Sequence, residues 1–277
     1  MAIPIIHDWE KYFSDPHEGL GSSYERIILN ELIFRIADRY NIRSALETPA
    51  FGFTGLSGIN LLGLALKSVH VCLEDHDDKR LELIKGLWNS LGIELKVNRN
   101  TDYTNLAYPD KSIDLGFNFS ALWFVSDLQI FLTELSRTCQ KAILLCVPNR
   151  SGIGYKMQIK DYSKEKYPSL HPEFIDPQLI QYHMKRQGWR IAEKGYIDCP
   201  PWPDIGMNKE LWLAKLMGRN KATDPQPKKS VSILPYYRDR DPGFKKRMLS
   251  LSLVERKAPK CFKLFWAHHY YMLFLPD

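Results

Sequence analysis

The chain has 277 residues, of which 44% are hydrophobic and 12% aromatic, and it carries a formal net charge of +6. This length allows one large domain or two small ones, and the apolar content excludes a mostly disordered protein. No run of about 18 apolar residues occurs, so we expect no membrane span, and the N-terminus lacks the basic region of a secretory signal. The five cysteines are widely spaced without a C-x-x-C pair, which is typical of reduced thiols in a cytoplasmic protein.

The positive charge is concentrated late in the chain. Residues 219–263 contain 13 Lys/Arg and 4 Asp/Glu, a local balance of +9, so the remainder carries −3. Such a segment suggests contact with nucleic acid, a membrane surface or an acidic substrate, although a solvated charged face explains it as well. Its aromatic residues stand together only at Tyr236 and Tyr237, so nucleic acid is an alternative partner and not the favoured one.

The first half of the chain predicts alternating helices and strands. Residues 1–21 are expected to form an N-terminal arm, and Ser22 with Glu25 forms a capping box before an apolar helical repeat that ends near Tyr40. Further helices are predicted at 59–66, 78–91 and 128–135, and strands at 44–47, 69–74, 93–97, 113–119 and 142–147. Such an alternation predicts a parallel sheet with right-handed crossovers.

After Val147 the regular alternation of predicted strands and helices ends. The predicted elements are a loop at 149–176, a helix at 177–187, a strand at 189–197, a short helix at 208–217, an exposed linker at 221–229, a basic helix at 242–254 and a final strand at 262–275. We therefore expect one domain over residues 22–277, with a basic insertion at about 206–261 before the last strand.

Glycines and an acidic residue follow the first predicted strand. Glu47 ends this strand, and Gly52, Gly55 and Gly58 follow in the next loop. Glycine allows the backbone to approach a ligand closely, although turn glycines before a helix are also common.

Acidic residues also follow the second and third strands. Glu74 or Asp75 could bind the two hydroxyls of a ribose, and Asp102 with Tyr103 could hold an adenine base. Helix capping and an Asx-turn are the structural alternatives. The chain has neither the P-loop motif nor G-x-G-x-x-G, which disfavours P-loop nucleotide enzymes and weakens an NAD interpretation.

Residues 102–127 (DYTNLAYPDKSIDLGFNFSALWFVSD) resemble the stretch after the third strand in class I S-adenosylmethionine-dependent methyltransferases of the small-molecule, type 11-like branch. The run HDDKRLELI from His76 resembles the helix after the family's ribose-binding residue, and residues 267–275 (AHHYYMLFL) resemble its last strand. The resemblance implies an α/β fold: a Rossmann-like, doubly wound, mostly parallel seven-stranded sheet with an antiparallel last strand.

The resemblance also implies S-adenosylmethionine as cofactor and S-adenosylhomocysteine as product. The implied cofactor-binding residues are Glu47, Thr48, Phe51, Gly52 and Gly55 toward the methionine part, Glu74 or Asp75 at the ribose, Asp102 and Tyr103 at the adenine, and Asn118 and Phe119 near the sulfonium. The sequence departs from the family's E-x-G-x-G-x-G motif, because Pro49 and Phe51 occupy the first two glycine places.

The expected reaction is in-line methyl transfer to a small-molecule acceptor, which depends on positioning and on a general base for a hydroxyl or amine acceptor. The catalytic candidates are His171, after the 149–170 loop, and Tyr24, just ahead of the first helix. His268 and His269 are expected in the core, and no His or Cys spacing predicts a metal site. Two other functions stay open: a non-catalytic methyltransferase-like binding protein, and a nucleic-acid methyltransferase that uses residues 219–263.

Overall fold

Seven strands form a single mixed sheet in this computed structural model, which describes residues 9–53, 55–161, 165, 167–202 and 231–277. The strands are β1 Ser44–Glu47, β2 His70–Asp75, β3 Lys96–Arg99, β4 Ile113–Phe119, β5 Cys139–Pro148, β6 Trp189–Ile197 and β7 His269–Pro276. Their order is β3-β2-β1-β4-β5-β7-β6. Strands β1 to β5 pair in parallel, and β7 lies antiparallel between β5 and β6. The predicted fold class is confirmed.

Helices cover both faces of this sheet. They are α1 Lys11–Ser14, α2 Gly19–Tyr40, α3 Leu62–Ala65, α4 Asp78–Asn89, α5 Leu128–Thr138, α6 Ile153–Gln158, α7 Pro177–Arg186, α8 Leu234–Tyr237, α9 Phe244–Ser250, α10 Leu253–Lys257 and α11 Lys260–Trp266. Short 3₁₀ turns lie at Leu122–Phe124, Ile159–Asp161 and Pro172–Ile175. The side chain of Asp77 caps α4 by accepting from the Arg80 N–H at 3.0 Å, which satisfies one of the free N–H groups at the start of the helix.

Several predicted boundaries are wrong, including the start of the first long helix, the start of the last strand and the extent of the basic helix. Helix α2 begins at Gly19, so Ser22 and Glu25 lie within it and do not form its cap. The predicted final strand starts only at His269, because its first residues form α11, where aromatic residues recur at helical and not at alternating spacing. The predicted basic helix is split into α9 and α10. The helix predicted at 208–217 and the linker at 221–229 lie outside the described residues.

The core has two halves, one on each face of the sheet. Alternate residues of β5 serve both, since Leu144 and Cys146 belong to the half that contains α2 while Ile143 and Leu145 belong to the half that contains α5. A sheet buried on both faces needs continuous apolar strands, which is why β4 and β5 are almost entirely buried. No helix among the described residues is long and apolar enough to cross a membrane.

The strand order reverses at β1, which has β2 on one side and β4 on the other. In open parallel sheets this switch point opens a crevice beyond the carboxyl ends of the strands. Here it is bounded by residues 48–53 after β1, 74–76 at the end of β2, 100–103 after β3 and 118–124 after β4. We call this region the switch-point crevice.

Candidate active site

Glu74 lies at the tip of β2 and is fully buried. Its Oε2 accepts hydrogen bonds from Thr48 Oγ1 and Asn100 Nδ2, both at 3.1 Å. Its Oε1 has no hydrogen-bond partner among the described residues, and burial raises the pKa of this carboxyl. Because an unsatisfied buried acceptor costs about 1–3 kcal/mol, a ligand hydroxyl that donates to Oε1 would be favourable.

Asp75 has a structural role. Its carboxylate accepts from Arg80 Nε at 2.8 Å and Nη2 at 2.7 Å, and it also accepts from the Asp77 N–H at 3.0 Å. This bidentate buried pair occupies both carboxylate oxygens. Of the two residues predicted for the ribose, Glu74 is therefore the one with an open acceptor.

The loop after β1 fills the switch-point crevice. Phe51 is 2% exposed, and its ring packs edge-on against His76 at 5.0 Å and Phe124 at 5.4 Å. A Cβ added to Gly52 would lie 1.5 Å from the carbonyl oxygen of Phe119, at the end of β4. The loop backbone thus rests directly on β4, and an aromatic ring stands between the tips of β2 and β4.

Glu47 points to the other face of the sheet. Its Oε1 accepts from Asn60 Nδ2 at 2.6 Å, while its Oε2 has no hydrogen-bond partner in the described part of the chain. Burial raises the pKa of Glu47 to about 8, an effect that Asn60 and Arg26 reduce. Gly55 also lies on this side, since a Cβ there would stand 2.6 Å from Glu18 Oε2.

The third predicted carboxylate, Asp102, is exposed, and its Oδ1 accepts from the Thr104 N–H at 3.1 Å, the geometry of an Asx-turn. Tyr103 is buried, with its hydroxyl 3.2 Å from His76 Nδ1. The expected convergence of Glu47, Glu74 and Asp102 on one point is therefore not observed. The residues that the structure does bring to the crevice are Thr48, Phe51, Gly52, Glu74, Tyr103, Asn118 and Phe119.

Phe119 connects the crevice to a second polar region. Its ring lies 5.4 Å from the ring of Phe53 on one side and 4.6 Å from that of His269 on the other. Beyond it lies a group of buried titratable residues, which we call the acid–histidine cluster: Glu25, Asp198, His268 and His269. His269 Nδ1 is 3.0 Å from Glu25 Oε1, and His268 Nδ1 is 2.5 Å from Asp198 Oδ2.

Burial and the neighbouring histidine have opposite effects on the pKa of Glu25 in this cluster. Burial acts to raise the pKa of Glu25, but the facing His269 outweighs it and the net shift is downward. Nearby Glu255 accepts from the Cys199 N–H, and burial raises the pKa of Glu255 to about 7. The buried carboxyls of Glu25 and Glu255 thus have pKa values shifted in opposite directions, as is common in active sites.

The two predicted catalytic residues lie in different places. Tyr24 is fully buried beside the cluster, edge-on to Trp202 at 5.5 Å, and its hydroxyl has no hydrogen-bond partner among the described residues. Burial and the charge of Glu255 raise the pKa of Tyr24 far above its ordinary value, so this phenol can donate a hydrogen bond but is a poor base. His171 is 38% exposed, with Nδ1 3.4 Å from Glu173 Oε1.

Comparison with solved structures identifies the architecture. A structure of the Trm112 methyltransferase activator of Haloferax volcanii with its proposed methyltransferase matches 98% of this chain and 98% of that chain, with a TM-score of 0.55 and 10% identity. A proposed sarcosine dimethylglycine methyltransferase from Galdieria sulphuraria matches 89% of this chain and 84% of that one, with a TM-score of 0.52 and 12% identity. The chain has the fold of the class I S-adenosylmethionine-dependent methyltransferases.

That fold also carries other chemistry. The [4+2]-cyclase SpnF matches 90% of this chain and 80% of its own, with a TM-score of 0.51 and 11% identity. No family model matches the chain, and no curated protein matches it. The activity must therefore be argued from the site itself.

The crevice only partly suits S-adenosylmethionine. The open oxygen of Glu74 fits a ribose hydroxyl, and Asn118 lies beside Thr48, to whose carbonyl oxygen its Nδ2 donates at 2.8 Å. The space does not fit, because the Phe51 ring and the Gly52 backbone stand where the ligand would lie. A nucleoside could enter only if this loop moved off β4.

Sequence reasoning missed Glu25 and Asp198 as site residues. Glu25 was assigned to a helix cap, and Asp198 directly follows β6 without a motif. One signal was available, since Glu25 and Arg26 are charged residues within an apolar helical repeat. Charged side chains are almost never fully buried unless they are paired.

The buried Glu47 predicts a pH-dependent stability. Its folded pKa of about 8 lies above the unfolded value of about 4.5, so the native state binds more protons between these values. Stability must then fall as the pH rises through this window and level off above it. We expect Glu47→Gln, which keeps the Asn60 contact, to stabilise the protein relative to wild type by roughly 3 kcal/mol at pH 8.5 and far less at pH 4.5.

Urea unfolding at several pH values measures this effect. The exposed Glu94 provides the control, because Glu94→Gln should leave the pH profile of wild type unchanged. Parallel profiles for wild type and Glu47→Gln would show that Glu47 is ionised at neutral pH in the fold.

Proposed function

We propose that this protein is an S-adenosylmethionine-dependent methyltransferase that acts on a small molecule. One observation carries the proposal: Glu74 keeps an open acceptor oxygen at the switch-point crevice, and the ring of Phe119, which also bounds this crevice, lies 4.6 Å from the ring of His269 in the acid–histidine cluster. Phe119 thus borders both regions, and in-line transfer requires a donor site and an acceptor site that adjoin.

S-adenosylmethionine, when bound, supplies a methyl group on a sulfonium. In this proposal Glu74 Oε1 accepts a hydrogen bond from a ribose hydroxyl. Once the loop that carries Phe51 has moved off β4, the ring of Phe119 excludes water and faces the cation. In the acid–histidine cluster, the Tyr24 hydroxyl orients the acceptor by donating a hydrogen bond. The carboxylates of the cluster take the proton that the acceptor releases when it is methylated.

A second candidate is a methyltransferase-like protein without catalysis. The closed crevice favours it, because Phe51 is buried in the nucleoside space and Gly52 rests on the Phe119 carbonyl. In this case the edge of the sheet would be a structural surface, and the protein would act by binding alone.

A nucleic-acid acceptor has less support. In the described part of the basic segment, Lys245 Nζ lies 2.6 Å from Glu31 Oε1, and Arg247 pairs with Asp241. These two cations are already matched by acids. Binding to nucleic acid would have to weaken steeply with salt.

Calorimetric titration with S-adenosylhomocysteine separates the two main candidates. For a methyltransferase, we expect S-adenosylhomocysteine to bind wild type saturably. It should bind Glu74→Gln at least tenfold more weakly, because the amide nitrogen cannot accept a hydrogen bond from a ribose hydroxyl. Phe51→Ala empties the crevice, so it should bind as tightly as wild type or more tightly. Glu94→Gln is the matched control and should bind like wild type.

The opposite pattern supports the second candidate. If neither wild type nor Phe51→Ala binds S-adenosylhomocysteine, the methyltransferase proposal fails. If only Phe51→Ala binds it, the natural chain keeps a former crevice closed, which again contradicts catalysis.

A further inference from the structure

We propose that Glu25, Asp198 and His269 form a binding site for one divalent transition-metal ion, with Mn²⁺ or Zn²⁺ as the type of ion. The three residues come from α2, from the position after β6 and from the first position of β7. The proposal concerns ion binding alone, so it holds whether or not the protein transfers methyl groups.

The geometry already approaches that of a coordination shell. One ligand atom from each residue can be chosen so that all three lie within 4.8 Å of one another. Glu25 Oε1 and His269 Nδ1 are 3.0 Å apart, which is about the separation of two ligands held at right angles at roughly 2.1 Å from a shared ion. A small contraction around Asp198 would complete a three-residue shell with open positions.

The burial of the site makes an empty cluster costly. Glu25, Asp198 and His269 are each 3% exposed or less. Glu25 Oε1, Asp198 Oδ1 and His269 Nδ1 have no hydrogen-bond partner among the described residues. Groups of this kind require pairing or metal coordination when they leave water, and a divalent ion would compensate both carboxylates at once.

A second observation also indicates a ligand here. The hydroxyl of Tyr24, which is fully buried beside the cluster, is unsatisfied within the described residues.

The donor set selects the ion. Two carboxylate oxygens and one imidazole nitrogen suit Mn²⁺, Fe²⁺ or Zn²⁺, whereas Mg²⁺ and Ca²⁺ prefer oxygen ligands alone. The spacing of His and Cys residues along the chain predicted no metal site. The ligands here are separated by more than 170 and 70 residues, so no spacing rule could find them.

The test uses the full chain after treatment with a chelator. Titration with Mn²⁺, followed by loss of the free-ion signal in electron paramagnetic resonance, should give one bound ion per chain. Zn²⁺ should compete with it. Either ion should raise the melting temperature, because it binds the folded state alone.

Variants locate the site. Asp198→Asn and His269→Gln should each weaken Mn²⁺ binding more than tenfold and lose the ion-dependent rise in melting temperature. The double variant Asp15→Asn with His17→Gln removes a surface pair of the same residue types, 3.4 Å apart, and should bind like wild type.

Several outcomes would overturn the proposal. It fails if wild type binds neither Mn²⁺ nor Zn²⁺ saturably at millimolar concentration. It also fails if binding persists in the folded Asp198→Asn and His269→Gln variants, or disappears with the surface pair, because the ion then lies elsewhere. Circular dichroism establishes that each variant is folded before its binding is compared.

Discussion

Gly52→Ala is expected to lower the free energy of unfolding by about 3 kcal/mol, because an added methyl group would overlap the backbone at the end of β4. The Cβ would lie 1.5 Å from the carbonyl oxygen of Phe119 and 3.0 Å from the carbonyl carbon of Ser120. Both neighbours are backbone atoms of a central strand and the turn after it, so they cannot rotate away as a side chain could. The loop, the strand or both must shift.

Guanidinium unfolding of wild type and Gly52→Ala measures the effect. Gly86→Ala is the matched control, because a Cβ at this position in α4 would meet no described atom within 4 Å. A helical glycine is also less favourable than alanine, so this control should gain about 1 kcal/mol. Equal stability of Gly52→Ala and wild type would show that the loop does not rest on β4.

The same variant bears on ligand binding. If S-adenosylhomocysteine enters the switch-point crevice by lifting the loop away from Phe119, the penalty of the added methyl group disappears in the bound state. Saturating ligand should then reduce the stability difference between Gly52→Ala and wild type. An unchanged difference would mean that the loop stays on β4 when the ligand is present.

Part of the fold could be predicted from the pattern of apolar residues in the sequence. Strands β1, β4 and β6 end where the apolar pattern predicted, at Ser44–Glu47, Ile113–Phe119 and Trp189–Ile197. The prediction for β3 began three residues and ended two residues too early. Lys96–Arg99 is a short edge strand with polar residues, so it shows no clear alternation of apolar and polar positions. The residues of α11 were predicted as part of the last strand for a related reason, since an apolar and aromatic run is compatible with either a helix or a strand.

The site was harder to predict because its chemistry depends on the third dimension. Glu74 and Asp75 looked equivalent in sequence, and only the position of Arg80 shows which carboxylate is already paired. Glu47 and Glu74 both end parallel strands, yet they point to opposite faces, because neighbouring residues in a strand alternate in direction. The acid–histidine cluster combines residues from three distant elements, a juxtaposition that no local pattern contains.

Arg26→Met is expected to destabilise the protein by about 3–5 kcal/mol, because it leaves the charge of Glu18 buried without a partner. Both side chains of this pair are fully buried. Arg26 donates to Glu18 Oε2 at 2.9 Å, to Asn60 Oδ1 at 2.7 Å and to the Leu56 carbonyl at 2.9 Å. Its guanidinium also lies 3.7 Å from the centre of the Phe53 ring, so it connects α2 with the loop that closes the crevice.

A double-mutant cycle separates the charge from the packing. Adding Glu18→Gln to Arg26→Met removes the unpaired charge, and we expect it to restore a substantial part of the lost stability, although Glu18→Gln alone should be destabilising. Lys79→Met provides a surface control, because Lys79 and Glu10 are paired at 2.6 Å but more than half exposed, and such pairs contribute at most about 1 kcal/mol. If the double variant is as unstable as the sum of the two single variants, Arg26 acts through its contacts with Leu56, Asn60 and Phe53. Those contacts, and not the neutralisation of Glu18, would then hold the loop on the sheet.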